Sequence, residues 1–373
     1  MKLVRDHAFI QGCAVVLSAM FLVAAAASPA AAFSFGKKHA PPVEAPPPPE
    51  PEIAVGPPVL ASYVIDTAGA YATYMHTASG IADKFIDGPS VVSALHLGAH
   101  SEQHQMQQGL VAYAAIIALQ DPNFTAAVRG FASHASTRDA MVRYLLNDPN
   151  YVMTLGGHDS AAGLIVATMN GQGDQLQAAG EAVEKESLYI QLKAAWSKKP
   201  VPNQANNLAD VKQLSASTIP ADVETRNQLA QAAVGAQSMT LSPGSVQPPY
   251  SQAVVRGMAI AALAILGKAG EDNMSYLMPL LVNDGDGFCF NMSKLNLYQC
   301  LSVARPYYED MYCLGLHAMA DTGKCVKSSI GAPGAAAAPT TPSMTTAASP
   351  VAANAAAGAV ATNASLTTGP LAQ

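Results

Sequence analysis

The sequence predicts an all-α protein: one multi-helical globular domain flanked by disordered N- and C-terminal arms. Between about residues 59 and 326, apolar residues recur at the three- and four-residue spacing of helices. No convincing run of alternating β-branched residues interrupts that spacing. Charged residues make up only 12% of the 373 positions, and much of the 50% hydrophobic share is alanine, whose small side chain suits closely packed helices.

Residues 1–32 are predicted to be a secretory signal. Lys2 and Arg5 precede an uncharged apolar run from Ala14 to Ala27, and three alanines at 30–32 supply the small residues that a signal peptidase requires. The run is shorter than the roughly 20 residues needed to span a bilayer, so we expect no membrane span after cleavage. The predicted location is therefore periplasmic or secreted, where cysteines become oxidised.

Low-complexity stretches flank the predicted domain on both sides. Residues 33–58 contain a cluster of four consecutive prolines at 46–49 and several more, which predicts an extended polyproline linker. Residues 327–373 are mainly alanine, threonine, serine and proline, with almost no charge and few large apolar side chains. Because such a segment cannot build a core, we expect a disordered tail.

Helical spacing and turn signals divide the domain into elements in order. Gly88-Pro89 ends the first helix, and Asp121-Pro122 begins another because aspartate caps helices and proline is tolerated in the first turn. Ser136 and Asp139 resemble a capping box, while Gly171 and Gly173 suggest a break in a long helix. The predicted helices are 60–86, 91–119, one after Asp121, one ending near Leu146, 159–197, 208–216, 221–237, 250–268, 273–281, 292–304 and 306–320.

A weak internal similarity supports two related helical halves. Residues 108–115 resemble 256–263, and residues 145–148 resemble 281–284, in the same order along the chain. The halves would span about 90–170 and 250–321. The alternative is that helices rich in alanine and leucine resemble one another by composition alone, and the sequence leaves both open.

Four cysteines lie in the C-terminal segment 289–325, and an even number in an exported protein predicts two disulfides. If residues 300–313 are mostly helical, Cys300 and Cys313 are separated by roughly 20 Å, whereas a disulfide spans only ~5.5 Å between Cα atoms. We therefore predict Cys289–Cys300 and Cys313–Cys325, in preference to Cys289–Cys313 with Cys300–Cys325. A zinc site is disfavoured because no C-x2-C spacing occurs.

Three histidines follow one another at four-residue steps on one predicted helix: His96, His100 and His104. Imidazoles four residues apart can share a metal, but the outer two lie ~12 Å apart along a helix axis, so a site would use two of them and a ligand from elsewhere. Glutamine and serine side chains surround the three, which favours a polar helix face. The sequence therefore predicts no metal and no cofactor.

A second cluster occupies residues 305–321 and supplies the candidate catalytic and binding residues. The candidate acids and bases are Glu309, Asp310 and His317, and the candidate binding residues are Arg305, Tyr307, Tyr308 and Tyr312. Tyrosines beside carboxylates commonly line sugar and peptide sites. Carboxylates in a first helical turn are also favoured by the helix dipole alone, and Arg305 is spaced for an ion pair with Glu309.

Composition excludes several function classes. The formal net charge is −6 and no run of lysine or arginine occurs, so neither nucleic-acid binding nor a polybasic membrane contact is expected. The sequence contains no G-x-S-x-G, H-E-x-x-H or phosphate-binding glycine motif. The expected function is an exported bacterial cell-envelope protein, a binding or structural module for an unidentified envelope component or protein partner. The alternatives are an envelope-polymer hydrolase using Glu309 or Asp310, and metal binding through the three histidines.

Overall fold

The computed structural model describes residues 50–282 and 287–331, which form helices joined by turns and irregular connections. Within these residues no strand occurs, which confirms the all-α prediction. The α-helices are α1 (Ser62–Ser79), α2 (Gly88–Ala99), α3 (Gln103–Ala118), α4 (Pro122–Ala132), α5 (Ala135–Asn147), α6 (His158–Lys193), α7 (Gln204–Ser215), α8 (Val223–Ala233), α9 (Gln252–Ile265), α10 (Met274–Leu281), α11 (Gly287–Val303), α12 (Tyr307–Cys313) and α13 (Asp321–Ser329). A π-helical segment, Leu314–Ala320, joins α12 to α13, so that one continuous C-terminal helix runs from residue 307 to residue 329.

The predicted signal at 1–32, residues 33–49 of the predicted linker and residues 332–373 of the predicted tail lie outside the described residues. The described end of the linker is extended and contacts the domain surface: Ile53 N–H donates to the Ser133 carbonyl at 2.7 Å, and Glu50 accepts the N–H of Ser136 at 3.0 Å. At the other boundary, α13 reaches Ser329 and Ile330 is only 1% exposed. The helical domain therefore extends beyond residue 326.

The core is built around α3 and α9, which pack against each other. Twelve of the 14 residues of α9 and 12 of the 16 residues of α3 are buried, because α9 and residues 109–118 of α3 are apolar or small on nearly all sides. Gly257 of α9 lies directly against Ala114 of α3. These two helices carry the similar segments 108–115 and 256–263, and the relation of the two halves remains a hypothesis.

The C-terminal helix crosses α6 with the two backbones in contact. A Cβ atom on Gly315 would lie 2.6 Å from the carbonyl oxygen of Gly180, and one on Gly323 would lie 2.6 Å from that of Gly173. Side chains at these positions would separate the helices, so glycine is required by the close approach. The expected break of the long helix near Gly171 is wrong, because α6 continues unbroken through 36 residues.

The predicted helix 91–119 is in fact two helices. α2 ends at Ala99, and the Glu102 side chain begins α3 by accepting the N–H of Gln105 at 2.7 Å. The first residue after α2, His100, has φ −80° and ψ 66°. The capping carboxylate in the middle of the apolar pattern explains the interruption.

The predicted disulfide pairing is wrong. The structure joins Cys289 to Cys325 and Cys300 to Cys313, with Cα atoms 5.5 and 5.7 Å apart. Residues 300–313 are not one helix, because α11 ends at Val303 and Pro306 stands in extended conformation before α12. The chain reverses there, so that α11 and the C-terminal helix form a hairpin bridged twice.

The glycine contacts predict opposite effects for two substitutions to alanine. Gly315→Ala places a methyl group against the backbone of α6 and should lower the free energy of unfolding by about 1–3 kcal/mol. Gly171→Ala, on the exposed face of the same α6 with no atom within 4 Å of the new methyl, should raise it by about 0.5–1 kcal/mol. Denaturant unfolding of the oxidised protein measures both, and equal effects would contradict the proposed contact.

The disulfide connectivity predicts the result of non-reducing peptide mapping. Peptides containing Cys289 and Cys325 should be linked, as should those containing Cys300 and Cys313. For sequence separations of 36 and 13 residues, chain entropy predicts that removing each bridge by paired serine substitution lowers the stability by about 4 and 3 kcal/mol, respectively. A Cys289–Cys300 peptide would refute this fold of the hairpin.

Candidate functional site

A pocket of about 470 Å³ lies between α2, the start of α7 and the start of α12. Its volume falls in the range of small-molecule sites. We call it the α2–α7–α12 pocket. Its lining residues are Pro89, Val92, Ser93, His96, Val201, Pro202, Asn203, Asn206, Asn207, Asp210 and Tyr307.

The first wall of the pocket is one face of α2. The Asp87 side chain caps this helix by accepting the N–H of Ser90 at 2.9 Å, and Pro89 stands in the first turn where its missing N–H costs nothing. Pro89, Val92, Ser93 and His96 are spaced by three, four and seven residues and therefore share one side of the helix.

The second wall is the start of α7, together with the segment before it. Val201 N–H donates to the Arg305 carbonyl at 2.8 Å, which fixes this segment against the turn that precedes α12. Asn203 then adopts φ 53°, a left-handed conformation that asparagine tolerates, and α7 begins at Gln204. Residues 199–207, which fall between the predicted helices 159–197 and 208–216, thus supply five of the lining residues.

Asp310 anchors this wall from the protein interior. Its side chain is fully buried, and its two oxygens accept the amide N–H groups of Gln204 at 2.9 Å and Asn207 at 3.1 Å. Burial raises the pKa of the Asp310 carboxyl to about 6, and the nearby Glu309 adds to this, while the two amide hydrogen bonds oppose it. The carboxylate therefore ties the first turn of α12 to the first turn of α7.

Two residues that line the pocket, His96 and Asn207, and the adjacent Gln204 each carry a buried polar atom without a hydrogen-bond partner, as do four residues elsewhere in the described part of the chain. Among the described residues, the buried atoms His96 Nε2, Asn207 Oδ1 and Gln204 Oε1 have no hydrogen-bond partner. Asn207 is only 7% exposed, yet its side chain lines the pocket. Because buried polar atoms in folded proteins are nearly always hydrogen-bonded, the His96 and Asn207 atoms are the candidates in this pocket for a bond to a bound molecule or water.

Aromatic residues form one end of the pocket. The Tyr307 ring lies edge-on to Trp196, with ring centroids 6.3 Å apart. A Cβ atom on Gly88 would lie 2.6 Å from Cε1 of this ring, so glycine at the start of α2 makes room for the tyrosine. Trp196 is the single tryptophan of the chain, and its fluorescence therefore reports on this end of the pocket.

The structure separates the candidate residues of the segment 305–321. Tyr307 lines the α2–α7–α12 pocket and Asp310 lies beneath it. Tyr308, Glu309 and Tyr312 line a different groove of about 310 Å³, beside the Cys300–Cys313 disulfide. The predicted cluster is therefore not one site.

Arg305 and Glu309 do not form the expected side-chain ion pair. Glu309 Oε2 instead accepts the backbone N–H of Arg305 at 2.8 Å. The Arg305 guanidinium donates to the carbonyls of Ser302 at 3.2 Å and Ala304 at 2.9 Å. Both side chains thus stabilise the turn between α11 and α12.

His317 lies in the π-helical segment, away from both cavities. Its Nδ1 is 2.9 Å from Asp321 Oδ2, and Lys324 Nζ is 3.1 Å from Asp321 Oδ1. Burial raises the pKa of Asp321, but the bonds to His317 and Lys324 outweigh it and hold that pKa below its usual value. Two backbone carbonyls of the π-helical segment accept hydrogen bonds from side chains. Ser293 Oγ donates to the His317 carbonyl at 2.6 Å, and the Tyr74 hydroxyl donates to the Ala318 carbonyl at 3.1 Å. These contacts support the helix junction.

The three histidines occupy three different settings, so the expectation of one helical stripe is wrong. His96 lines the α2–α7–α12 pocket, His100 follows the end of α2, and His104 lies on α3 in another cavity with Glu102. Burial lowers the pKa of His100. In the part of the chain that the structure describes, no three His, Cys, Asp or Glu side chains gather closely enough to hold a metal ion.

Comparison of the chain with known protein families, curated proteins and solved structures finds no match. Within residues 50–282 and 287–331, no helix combines the length and hydrophobicity that crossing a bilayer requires. Sequence reasoning missed Ser93, Asn206, Asn207 and Asp210. The available signal was the asparagine-rich run from 203 to 207, which looks like a connection until α7 is placed.

The raised pKa of Asp310 predicts how stability depends on pH. The folded protein holds a proton on this carboxyl up to about pH 6, whereas the unfolded chain releases it near 3.8, so folding loses stability between these values as the pH rises. Asp310→Asn removes this titration. When the pH is raised from 4 to 7.5, the free energy of unfolding of the variant minus that of the parent should increase by on the order of 3 kcal/mol. Urea unfolding at both pH values measures this difference, and parallel pH profiles would contradict it.

Proposed function

We propose that this protein is an exported, cell-envelope-associated binding module whose ligand occupies the α2–α7–α12 pocket. The observation that carries the proposal is Asn207, which is nine-tenths buried and lines a pocket while its Oδ1 has no partner among the described residues. Polar groups converging on a partly apolar cavity are the usual composition of a ligand site.

Export is supported by two kinds of observation. The N-terminal 32 residues have the charge, hydrophobicity and small-residue pattern of a secretory signal. Two disulfides close the C-terminal hairpin, and such bridges persist in oxidising compartments. A periplasmic or secreted location agrees with both.

The positions of the two candidate acids favour binding over hydrolysis. A general acid must lie within hydrogen-bond reach of the group that it protonates. Asp310 is fully buried and both of its oxygens accept amide hydrogen bonds. Glu309 accepts hydrogen bonds from Arg305 N–H and from the Tyr308 hydroxyl at 3.2 Å, and it faces the other groove.

A pair of matched phenylalanine substitutions on α2 tests the proposal. Ser93 lines the pocket, whereas Leu97, one turn later, is 51% exposed and lies outside it. Ser93→Phe should fill the pocket and weaken binding of the protein to an isolated cell-envelope fraction by about 10-fold or more, while Leu97→Phe leaves that binding unchanged. Co-sedimentation measures the affinity.

The protein for this experiment is produced from residue 1 and recovered from the compartment in which it accumulates. We expect it in the periplasmic fraction with Phe33 at its N-terminus, as intact mass would show. Equal envelope binding by the two variants, or no binding by the parent, would refute the proposed pocket, and retention of Met1 in the cytoplasm would refute export.

A further inference from the structure

We propose that the α2–α7–α12 pocket binds an uncharged saccharide. This inference rests on the proposed function, and it adds the chemical class of the ligand. It follows from three properties of the lining: its hydrogen-bonding groups, its charge and its apolar surface.

The hydrogen-bonding groups suit hydroxyls. Three asparagines line the pocket, and an asparagine amide offers both donors and an acceptor, as a sugar hydroxyl does. Asn207 uses its N–H for Asp310, which leaves its Oδ1 in need of a donor. His96 Nε2 is also without a partner among the described residues, and a neutral imidazole nitrogen can pair with a hydroxyl in either direction.

The charge of the pocket disfavours anions. No lysine or arginine occurs among its lining residues, whereas Asp210 lines it and Asp310 lies behind Asn207. A carboxylate or phosphate would therefore face acidic groups with no cationic side chain to pair with. The charge of the lining therefore disfavours nucleotides, phosphosugars and uronic acids as ligands.

The apolar part of the lining suits the carbon face of a sugar ring. Pro89, Val92, Val201 and Pro202 line the same cavity as the amides, and the Tyr307 ring is held at its end by Trp196. A metal ion gains no ligands from such a surface, and a polyamine would need several acidic partners where the lining offers Asp210. A pyranose presents hydroxyls at its edge and C–H groups on its faces, so it matches both kinds of lining.

Titration with defined tetrasaccharides tests the inference. The probes are maltotetraose, cellotetraose and tetra-N-acetylchitotetraose, with tetragalacturonate as the anionic counterpart, and Ca²⁺ and spermidine as cations. We expect at least one neutral probe to bind, detected by calorimetry and by a change in the emission of Trp196. Tetragalacturonate, Ca²⁺ and spermidine should bind more weakly than that probe.

Two asparagine substitutions locate the binding. Asn206→Ala removes an exposed amide from the pocket. It should lower the affinity for the neutral probe by about 3- to 10-fold, the loss expected for one or two hydrogen bonds. Asn227→Ala removes another exposed amide, from α8 and outside the pocket, and should leave the affinity unchanged. Circular dichroism of both variants checks that each is folded.

The outcomes separate this inference from the proposed function. Tighter binding of tetragalacturonate or of a cation, no binding of any neutral probe, or equal affinity in the two asparagine variants would overturn the saccharide assignment. If envelope binding were still lost in Ser93→Phe, the pocket would remain the binding site for a ligand of another class. If that loss were absent as well, both proposals would fall.

Discussion

The contact between the backbones of α6 and the C-terminal helix is the constraint on which the other arrangements depend. Gly173 and Gly180 lie against Gly323 and Gly315, and side chains at these positions would force the two helices apart. The C-terminal helix then fixes α11 through two disulfides, Cys289–Cys325 and Cys300–Cys313. Its first turn, beginning at Tyr307, is consequently held in one place relative to the core.

The buried carboxylate of Asp310 connects the C-terminal helix to the pocket wall formed by α7. Desolvation makes its charged form costly, and two amide hydrogen bonds from α7 return part of that cost. The burial of Asp310 is unfavourable by itself, but its hydrogen bonds hold the start of α7 against α12. The start of α7 then faces α2 across the pocket. The two amides that donate to Asp310 leave their own oxygens, Gln204 Oε1 and Asn207 Oδ1, without a hydrogen-bond partner among the described residues.

Prediction from the sequence succeeded where the signal is local. The three- and four-residue spacing identified the helical class, and Asp121 caps α4 as expected by accepting the N–H of Phe124 at 2.7 Å. It failed where a distant contact decides the outcome. The glycines of α6 look like a break because their partners lie some 150 residues later in the chain. The disulfide pairing failed because a reversal of three residues, 304–306, separates α11 from α12.

The sequence by itself determined the helical class, the oxidised cysteines expected of an exported chain, and one aromatic residue of the pocket, Tyr307. These depend on composition, periodicity and short motifs, which are properties of neighbouring residues. Only the tertiary structure decided the disulfide partners, the separation of Tyr307 from Tyr308 and Glu309, and the union of Ser93 with Asn207 and Asp210. Those relations join α2, α7 and α12, and the distances between helices are set by side-chain volume and buried hydrogen bonds, which no local pattern encodes.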